Sequence, residues 1–318
     1  MLTDNDCKVT EPERSLIDQI DNREPERMKL QDSRSASLVL LTAAVWLLLP
    51  RSATPQAQDQ FFNSNGVKIR YIVVGKGDPV ILVHGFAGNL RVWDPLIDDL
   101  ANDHEVVALD CRGHGKSDKP HEPEQYGIEM VNDITRLMDH LEIKKANVIG
   151  YSMGGGIVMK MLVEHPDRFL TAVVGANRGF RSEDLEQQAS LTKYLQSGMS
   201  FSEAVIAAAP ADAPPLSAEQ REALKRDDPN HDAKALAAQR LGNKGLIVSS
   251  ESLKANKVPI LVIYGGNDHA EAYADLKKEL SDAEYEVIPG AGHAGAVQSP
   301  EFVKDVRAFL QEHQQPRR

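Results

Sequence analysis

Cysteine and aromatic residues are scarce in this sequence of 318 residues. Its two cysteines, Cys7 and Cys111, cannot build a disulfide framework or a four-ligand zinc site. The motifs CxxC, HExxH and GxxxxGK(S/T) are absent, which argues against a zinc protease and a P-loop nucleotide-binding protein. Aromatic residues make up 5% of the chain and hydrophobic residues 42%, a composition typical of a soluble globular protein.

Basic residues do not outnumber acidic ones in this sequence. The chain has 36 basic and 47 acidic side chains, so its formal net charge is −11. Proteins that bind nucleic acids usually present a strongly basic face, and we therefore predict no nucleic-acid partner. Because the acidic residues are spread along the chain, we interpret the negative charge as a solvated surface.

Only one long apolar run occurs, residues 38–49. With the preceding serine it spans about 13 residues, short of the ~20 that a membrane-spanning helix needs. It has the length of the apolar core of a signal peptide, with basic Lys29 and Arg34 before it and Pro50 after it. We therefore expect residues 28–57 to form an export signal and the protein to be periplasmic or secreted.

The preceding segment, residues 1–27, contains eight acidic and four basic side chains, unlike the basic start of a signal peptide. We hypothesise that translation starts at Met28 and that this acidic leader is not part of the native protein. Ala53 or Ala57 offers a small residue for cleavage. The alternative is a single-pass anchor, with membrane association through residues 38–49 alone. Both interpretations place the rest of the chain outside the cytoplasm.

After residue 60, short β-branched runs alternate with segments of helical spacing. The predicted strands are 67–75, 79–85, 104–110, 145–152, 169–176, 258–266 and 283–290, and the predicted helices are 90–102, 124–141, 153–166, 271–282 and 302–313. This alternation predicts an α/β fold with a mostly parallel sheet covered on both faces. Between 177 and 257 it gives way to helices and turns without a strand. We therefore expect a core of residues 58–176 and 258–318, interrupted by a helical cap or lid over 177–257.

The strongest motif is G-x-S-x-G at residues 150–154, between a predicted strand and a predicted helix. A serine on such a sharp turn can act as a nucleophile, and the glycines leave room for the turn. The serine, Ser152, needs a base, and His293 follows the last predicted strand in a glycine-rich loop. Asp268 follows the preceding strand and can orient that histidine. We predict Ser152, Asp268 and His293 as a catalytic triad.

The negative charge that develops on a substrate oxygen needs hydrogen-bond donors. We assign the backbone N–H groups of Phe86 and Met153 as this oxyanion hole. His84, beside the first of these, is interpreted as a structural brace. In the loop that follows strand 104–110, we expect Asp110 and Arg112 to pair, and we interpret His114 as structural. A metal site is not predicted, because no carboxylate or cysteine cluster accompanies these residues.

Together these residues resemble the α/β-hydrolase superfamily. The resemblance rests on HGFAG at 84–88, DCRGHGKSDKP at 110–120, GYSMGG at 150–155, Asp268, and the GxGH that ends at His293. It implies an eight-stranded, mostly parallel sheet with helices on both faces and a lid inserted after the sixth strand. It implies neither a metal nor an organic cofactor.

The serine nucleophile disfavours haloalkane dehalogenases and epoxide hydrolases, since those members of the superfamily use aspartate. The prediction is a carboxylesterase-like serine hydrolase that cleaves esters of small soluble substrates through an acyl-enzyme. The same triad serves lactonases, perhydrolases and carbon–carbon bond hydrolases of vinylogous diketones, for which Arg178, Arg181 and Lys193 are candidate cations in the lid. A non-catalytic binder is disfavoured by the complete triad, and a triacylglycerol lipase by the few aromatic residues of the lid. The oligomeric state stays open.

Overall fold

The computed structural model describes residues 57–210, 215–268 and 273–314. The predicted acidic leader at 1–27, the apolar run at 38–49 and nearly all of the predicted export signal lie outside these residues. None of the described helices combines the length and the apolar character needed to cross a membrane.

The centre of the molecule is one eight-stranded sheet, as the resemblance to the α/β-hydrolase superfamily implies. The strands are Gln60–Ser64 (β1), Val67–Gly75 (β2), Asp78–Val83 (β3), His104–Leu109 (β4), Ala146–Tyr151 (β5), Phe169–Gly175 (β6), Ile260–Gly265 (β7) and Glu284–Ile288 (β8). Their spatial order is β1-β2-β4-β3-β5-β6-β7-β8. Strands β1 and β2 pair antiparallel with each other, β2 pairs antiparallel with β4, and all other pairs are parallel.

Twelve α-helices occur among the described residues, joined by short 3-10 turns. They are Asp94–Leu100 (α1), Ile128–His140 (α2), Met153–Glu164 (α3), Ser182–Gln187 (α4), Ala189–Gln196 (α5), Phe201–Ala208 (α6), Ala218–Asp227 (α7), Ala233–Gly242 (α8), Ser250–Lys254 (α9), Tyr273–Glu279 (α10), His293–Ala296 (α11) and Pro300–Glu312 (α12). The 3-10 turns are Leu90–Trp93, Pro123–Gln125, Pro166–Arg168, Asp228–Asn230 and Asn243–Leu246.

Hydrophobic side chains cover both faces of the sheet. Every residue of β5 and β7 is buried, which explains why both strands are mostly apolar in the sequence. Alternate residues of each strand enter opposite layers. Ile81 and Val148 pack with α2 and α3 on one face, whereas Leu82 and Ile149 pack with α1 and α12 on the other. The result is a three-layer arrangement of helices, sheet and helices.

Two local details differ from the sequence prediction. Strand β1 was not predicted, because its residues are mostly exposed and polar and pair only with β2 at the edge of the sheet. The segment predicted as one helix over 90–102 is a 3-10 turn followed by α1. Pro95 lies in the first turn of α1, where its missing N–H costs no helical hydrogen bond.

The chain between β6 and β7, residues 177–257, is called the helical segment below. Its described part holds α4 to α9, and its β-type pairing is limited to one bridge between Phe180 and Ile247. It has a hydrophobic cluster of its own, built on Leu195, Phe201 and Leu236 among others. Phe86 and Ala87 of the loop after β3 pack against that cluster, so the helical segment touches the carboxyl end of the sheet.

Candidate active site

Ser152 lies on a tight turn between β5 and α3, with backbone angles φ 54° and ψ −116°. A non-glycine residue rarely adopts a positive φ, and such strain is often found at functional sites. The flanking glycines make the turn sterically feasible. A Cβ atom on Gly150 would lie 2.2 Å from the carbonyl oxygen of Gly154, and one on Gly154 would lie 2.0 Å from that of Val83. The G-x-S-x-G spacing therefore has a direct steric cause.

The three residues predicted as a triad meet in the structure, although they are far apart in sequence. The Nε2 atom of His293 lies 2.8 Å from the Oγ atom of Ser152, and its Nδ1 atom lies 2.8 Å from Oδ2 of Asp268. A carboxylate only accepts hydrogen bonds, so Nδ1 donates to Asp268 and Nε2 is left to accept from the serine hydroxyl. All three side chains follow the carboxyl ends of parallel strands, β5, β7 and β8, which meet at one edge of the sheet.

Backbone and side-chain contacts hold the histidine loop in place. The hydroxyl of Tyr151 donates to the carbonyl oxygen of His293. The amide of Asn267 donates to the carbonyl of Ala291 (3.0 Å), and its side chain donates to the carbonyl of Gly290 (2.9 Å). The loops that carry Asp268 and His293 are therefore tied to each other and to the strand before the serine.

The loop after β3 forms a tight turn in which the amide of Gly88 donates to the carbonyl of Gly85 (3.1 Å). Phe86 and Ala87 are the central residues of this turn, and Ala87 has a positive φ of 54°. Met153, the other residue assigned to the oxyanion hole, is the first residue of α3. At the N-terminus of a helix the first amide groups have no intrahelical acceptor, and such groups are a common place for anions to bind.

His84 connects this turn to the loop after β4, in agreement with the bracing role predicted for it. Its Nδ1 atom donates to the carbonyl of Gly85 (2.7 Å), and its Nε2 atom accepts from the amide of Cys111 (3.0 Å). Because His84 is fully buried, its pKa is lowered and the neutral ring is favoured. The neutral form is the one that this donor–acceptor pattern requires.

The expected pairing of Asp110 with Arg112 is wrong. Asp110 accepts from Arg70 (3.0 Å) and from the backbone amides of Leu90 and Lys116 (2.8 Å each), so its carboxylate lies inside the turn. The guanidinium of Arg112 instead makes two bonds of 2.6 Å to Asp133 on α2. Arg112 therefore extends away from Asp110 toward the helix layer.

His114 is buried, and its Nδ1 atom donates to the carbonyl of Arg112 (3.0 Å). Burial lowers its pKa well below the usual value, and the neighbouring His84 and His231 add to this effect. Within the described residues, no group of three or more histidine, cysteine or acidic side chains could hold a metal ion.

The three candidate cations of the helical segment have different surroundings. Arg181 pairs with Glu279 (2.5 Å), Arg178 lies 3.8 Å from Glu183, and Lys193 is exposed. Sequence reasoning missed Arg240, which lies buried in α8 with its Cζ atom 4.9 Å from the ring centroid of Phe86. Its position four residues after the buried Leu236 could have indicated that it faces inward.

Comparisons with known proteins agree with this architecture. A family model described as the alpha/beta hydrolase fold matches residues 78–300. The chain is 30% identical over 262 residues to the dihydrolipoyllysine-residue acetyltransferase component of an acetoin cleaving system from Cupriavidus necator, covering 80% of this chain and 68% of that protein. It is 28% identical over 283 residues to the 2-hydroxy-6-oxo-6-(2'-aminophenyl)hexa-2,4-dienoic acid hydrolase of Metapseudomonas resinovorans, covering 79% and 90% of the two chains.

Among solved structures, a carboxylesterase of the thaumarchaeon Nitrososphaera gargenis superposes with a TM-score of 0.68 at 22% identity. The match covers 80% of this chain and 98% of that one, and it speaks for the fold alone. The family model spans well over half of the sequence and includes both Ser152 and His293. The chain belongs to the α/β-hydrolase family.

Proposed function

We propose that this protein is a serine hydrolase that cleaves carboxylic esters of small soluble substrates through an acyl-enzyme intermediate. The observation that carries the proposal is the continuous chain of contacts from Ser152 through His293 to Asp268, with both distances at 2.8 Å. A serine hydroxyl is a weak nucleophile at neutral pH, and this arrangement is the one that activates it.

In the first half of the reaction, His293 takes the proton of Ser152 as its oxygen attacks the ester carbonyl. Asp268 keeps the ring oriented and stabilises the positive charge that it gains. His293 then gives the proton to the departing alcohol, leaving an acyl group on Ser152. In the second half, His293 deprotonates water that attacks this acyl group, and the serine regains its proton as the acid leaves.

The tetrahedral intermediate carries a negative charge on the former carbonyl oxygen. We assign the backbone N–H groups of Phe86 and Met153 as its donors. Two observations support this assignment: the turn at 85–88 is closed by a backbone hydrogen bond, and Met153 is the first residue of α3. Each such donor contributes on the order of 3 kcal/mol to stabilising the transition state.

We further propose that the helical segment acts as a cap over this site. The packing of Phe86 against its hydrophobic cluster supports this role, since Phe86 belongs to the proposed oxyanion hole. Aromatic side chains are few in the helical segment, which favours small soluble substrates over lipid surfaces.

We also propose that residues 28–57 direct export of the protein. N-terminal sequencing of the expressed protein tests this.

The central test is covalent labelling. A fluorophosphonate probe should label the wild-type protein and leave Ser152→Ala unlabelled, and Ser152→Ala should lose turnover of 4-nitrophenyl butyrate. Ser190→Ala is a suitable control, because Ser190 is an exposed serine of α5. Full esterase activity in Ser152→Ala would overturn the proposal, and so would the absence of labelling in the wild-type protein.

A second candidate is the hydrolysis of a carbon–carbon bond in a vinylogous diketone. The 28% identity to the dienoic acid hydrolase of Metapseudomonas resinovorans favours it. The same triad would serve, so the site geometry does not separate the two reactions. Parallel turnover measurements with short esters and with a ring-cleavage product decide between them: a kcat/KM for the diketone that exceeds the best ester value would replace the first proposal.

A further inference from the structure

Arg240 is a buried cation without an acidic partner among the described residues. The residue is 7% exposed, and its guanidinium donates from Nε to the hydroxyl of Thr192 (3.0 Å) and from Nη2 to the carbonyl of Gln188 (3.1 Å). Both acceptors are neutral. The third nitrogen, Nη1, has no hydrogen-bond partner within the described part of the chain.

The other deeply buried arginines are treated differently by the fold. Arg112 binds the carboxylate of Asp133, and Arg70 binds those of Asp59 and Asp110. Burial raises the free energy of a charge by several kcal/mol unless an opposite charge compensates it. For Arg240 burial lowers the pKa to about 10, so the group is still charged at neutral pH. Within the described part of the chain, this cation therefore has no counter-ion to offset the cost of its burial.

Its location links it to the proposed reaction centre. The Cζ atom of Arg240 lies 4.9 Å from the centroid of the Phe86 ring, and the Phe86 amide is a proposed oxyanion donor. The centroid of the Phe86 ring lies 5.9 Å from that of the His114 ring and 6.2 Å from that of the Phe201 ring. A buried cation over an aromatic ring gains about 2 kcal/mol or more, less than the several kcal/mol that burying the charge costs.

Two more buried nitrogens near this ring lack a hydrogen-bond partner within the described residues. They are Nε2 of His114 and Nδ1 of His231. The His231 ring is tilted against that of Phe201, with the two ring centroids 4.4 Å apart. Buried polar atoms are nearly always satisfied, by protein, water or ligand. Each of these rings donates through its other nitrogen, to the carbonyl of Arg112 or of Ala87, so in the neutral ring the unsatisfied nitrogen is an acceptor that a water or a hydroxyl of a ligand can satisfy.

We propose that Arg240 binds a carboxylate group carried by the substrate, so that the preferred substrates are anionic esters. The inference rests on the proposed function and specifies its substrate class. The carboxylate supplies the missing counter-ion through Nη1, while Thr192 and Gln188 hold the other two nitrogens and fix the plane of the guanidinium. Charge-assisted hydrogen bonds of this kind are among the strongest that proteins form.

The activity test uses matched ester pairs. On the acyl side, mono(4-nitrophenyl) glutarate is compared with 4-nitrophenyl valerate, which has the same chain length without the charge. On the alcohol side, 4-acetoxybenzoate is compared with its methyl ester. We expect the wild-type protein to prefer the anionic member of at least one pair in kcat/KM, and Arg240→Met to reduce this preference about 10- to 100-fold.

Arg221→Met is the control, because Arg221 is an exposed arginine of the same helical segment whose guanidinium donates to the carbonyl of Leu216. It should keep the wild-type ratio of anionic to neutral turnover. An unchanged ratio in Arg240→Met would overturn the proposal, and so would a wild-type preference for the neutral ester in both pairs.

A binding test separates this proposal from the esterase proposal. This test uses Ser152→Ala, which should not hydrolyse esters. Glutarate should raise the Tm of this variant more than the neutral glutaramide does, and adding Arg240→Met should abolish the difference. Stabilisation by glutarate without hydrolysis of any ester would leave the anion site standing and refute the esterase. Equal effects of glutarate and glutaramide on Ser152→Ala would refute the anion site, even if Arg240→Met itself fails to fold.

Discussion

The imidazole of His231 lies 2.9 Å from the carbonyl oxygen of Ala87, measured from Nε2. A carbonyl only accepts, so Nε2 carries the hydrogen. His231 belongs to the helical segment, whereas Ala87 is the residue with positive φ in the turn that presents the Phe86 amide. This single bond therefore connects the position of the helical segment to the geometry of the proposed oxyanion hole.

His231→Ala should lower kcat for small neutral esters about 3- to 10-fold. A neutral hydrogen bond is worth about 1 kcal/mol, and its loss lets the strained turn relax. Steady-state kinetics give the split between kcat and KM. His121→Ala is the matched control, since His121 also binds the helical segment, through Asp232 at 2.9 Å, but does not touch the 85–88 turn. Equal losses in both variants would show that only docking of the helical segment matters.

Asp268→Asn should reduce kcat by about 10³- to 10⁴-fold while the fold persists. The amide cannot hold the same histidine tautomer or stabilise its cationic form, although it occupies nearly the same volume. Turnover of 4-nitrophenyl butyrate and circular dichroism measure the two effects. Asp282→Asn, at an exposed position after α10, should be indistinguishable from wild type. A loss of less than tenfold in Asp268→Asn would contradict the assigned role.

Gly154→Ala should lower the free energy of unfolding by about 1–3 kcal/mol or more and abolish activity. The added Cβ atom would lie 2.0 Å from the carbonyl oxygen of Val83, so β3 or the serine turn must shift. Urea unfolding followed by fluorescence measures the change. Gly295→Ala is a matched control in α11, where a Cβ atom meets nothing within 4 Å. Wild-type stability in Gly154→Ala would refute the steric argument.

Stability should fall as pH drops from 7 toward 5. Burial lowers the pKa values of His84 and His114 in the folded protein, so below pH 6.5 only the unfolded chain binds these protons. Each such histidine contributes a slope of up to about 1.4 kcal/mol per pH unit between its unfolded and folded pKa values. His114→Phe should remove one of these contributions from urea-unfolding free energies measured across this range. An unchanged slope would mean that His114 is protonated in the folded protein.

Local sequence patterns were sufficient for the elements that carry the site. β5 and β7 read as strands because parallel strands are buried on both faces, and the glycines around Ser152 mark a turn that only small residues permit. The order of Ser152, Asp268 and His293 along successive strand ends was enough to predict that their side chains meet. The edge strand β1 escaped prediction because it lacks a buried pattern of its own.

Contacts between distant polar residues were not predictable in the same way. The sequence suggests that Asp110 pairs with its neighbour Arg112. In the structure Asp110 binds Arg70, 40 residues away, and Arg112 binds Asp133, 21 residues away. Similarly, three arginine and lysine candidates were chosen in the helical segment, and Arg240 was not among them. Charge identity alone does not reveal which cation is buried or which acid can reach it.

The sequence by itself determined the α/β fold, the serine on its strained turn and the aspartate and histidine whose side chains lie next to it. These follow from periodicity and from the rule that parallel strands end at one edge of the sheet. Only the tertiary structure decided how the helical segment touches that edge, through His231 on Ala87 and Arg240 on Phe86. Such contacts depend on how whole helices pack, and the burial that makes an unpaired guanidinium costly exists only once they have packed.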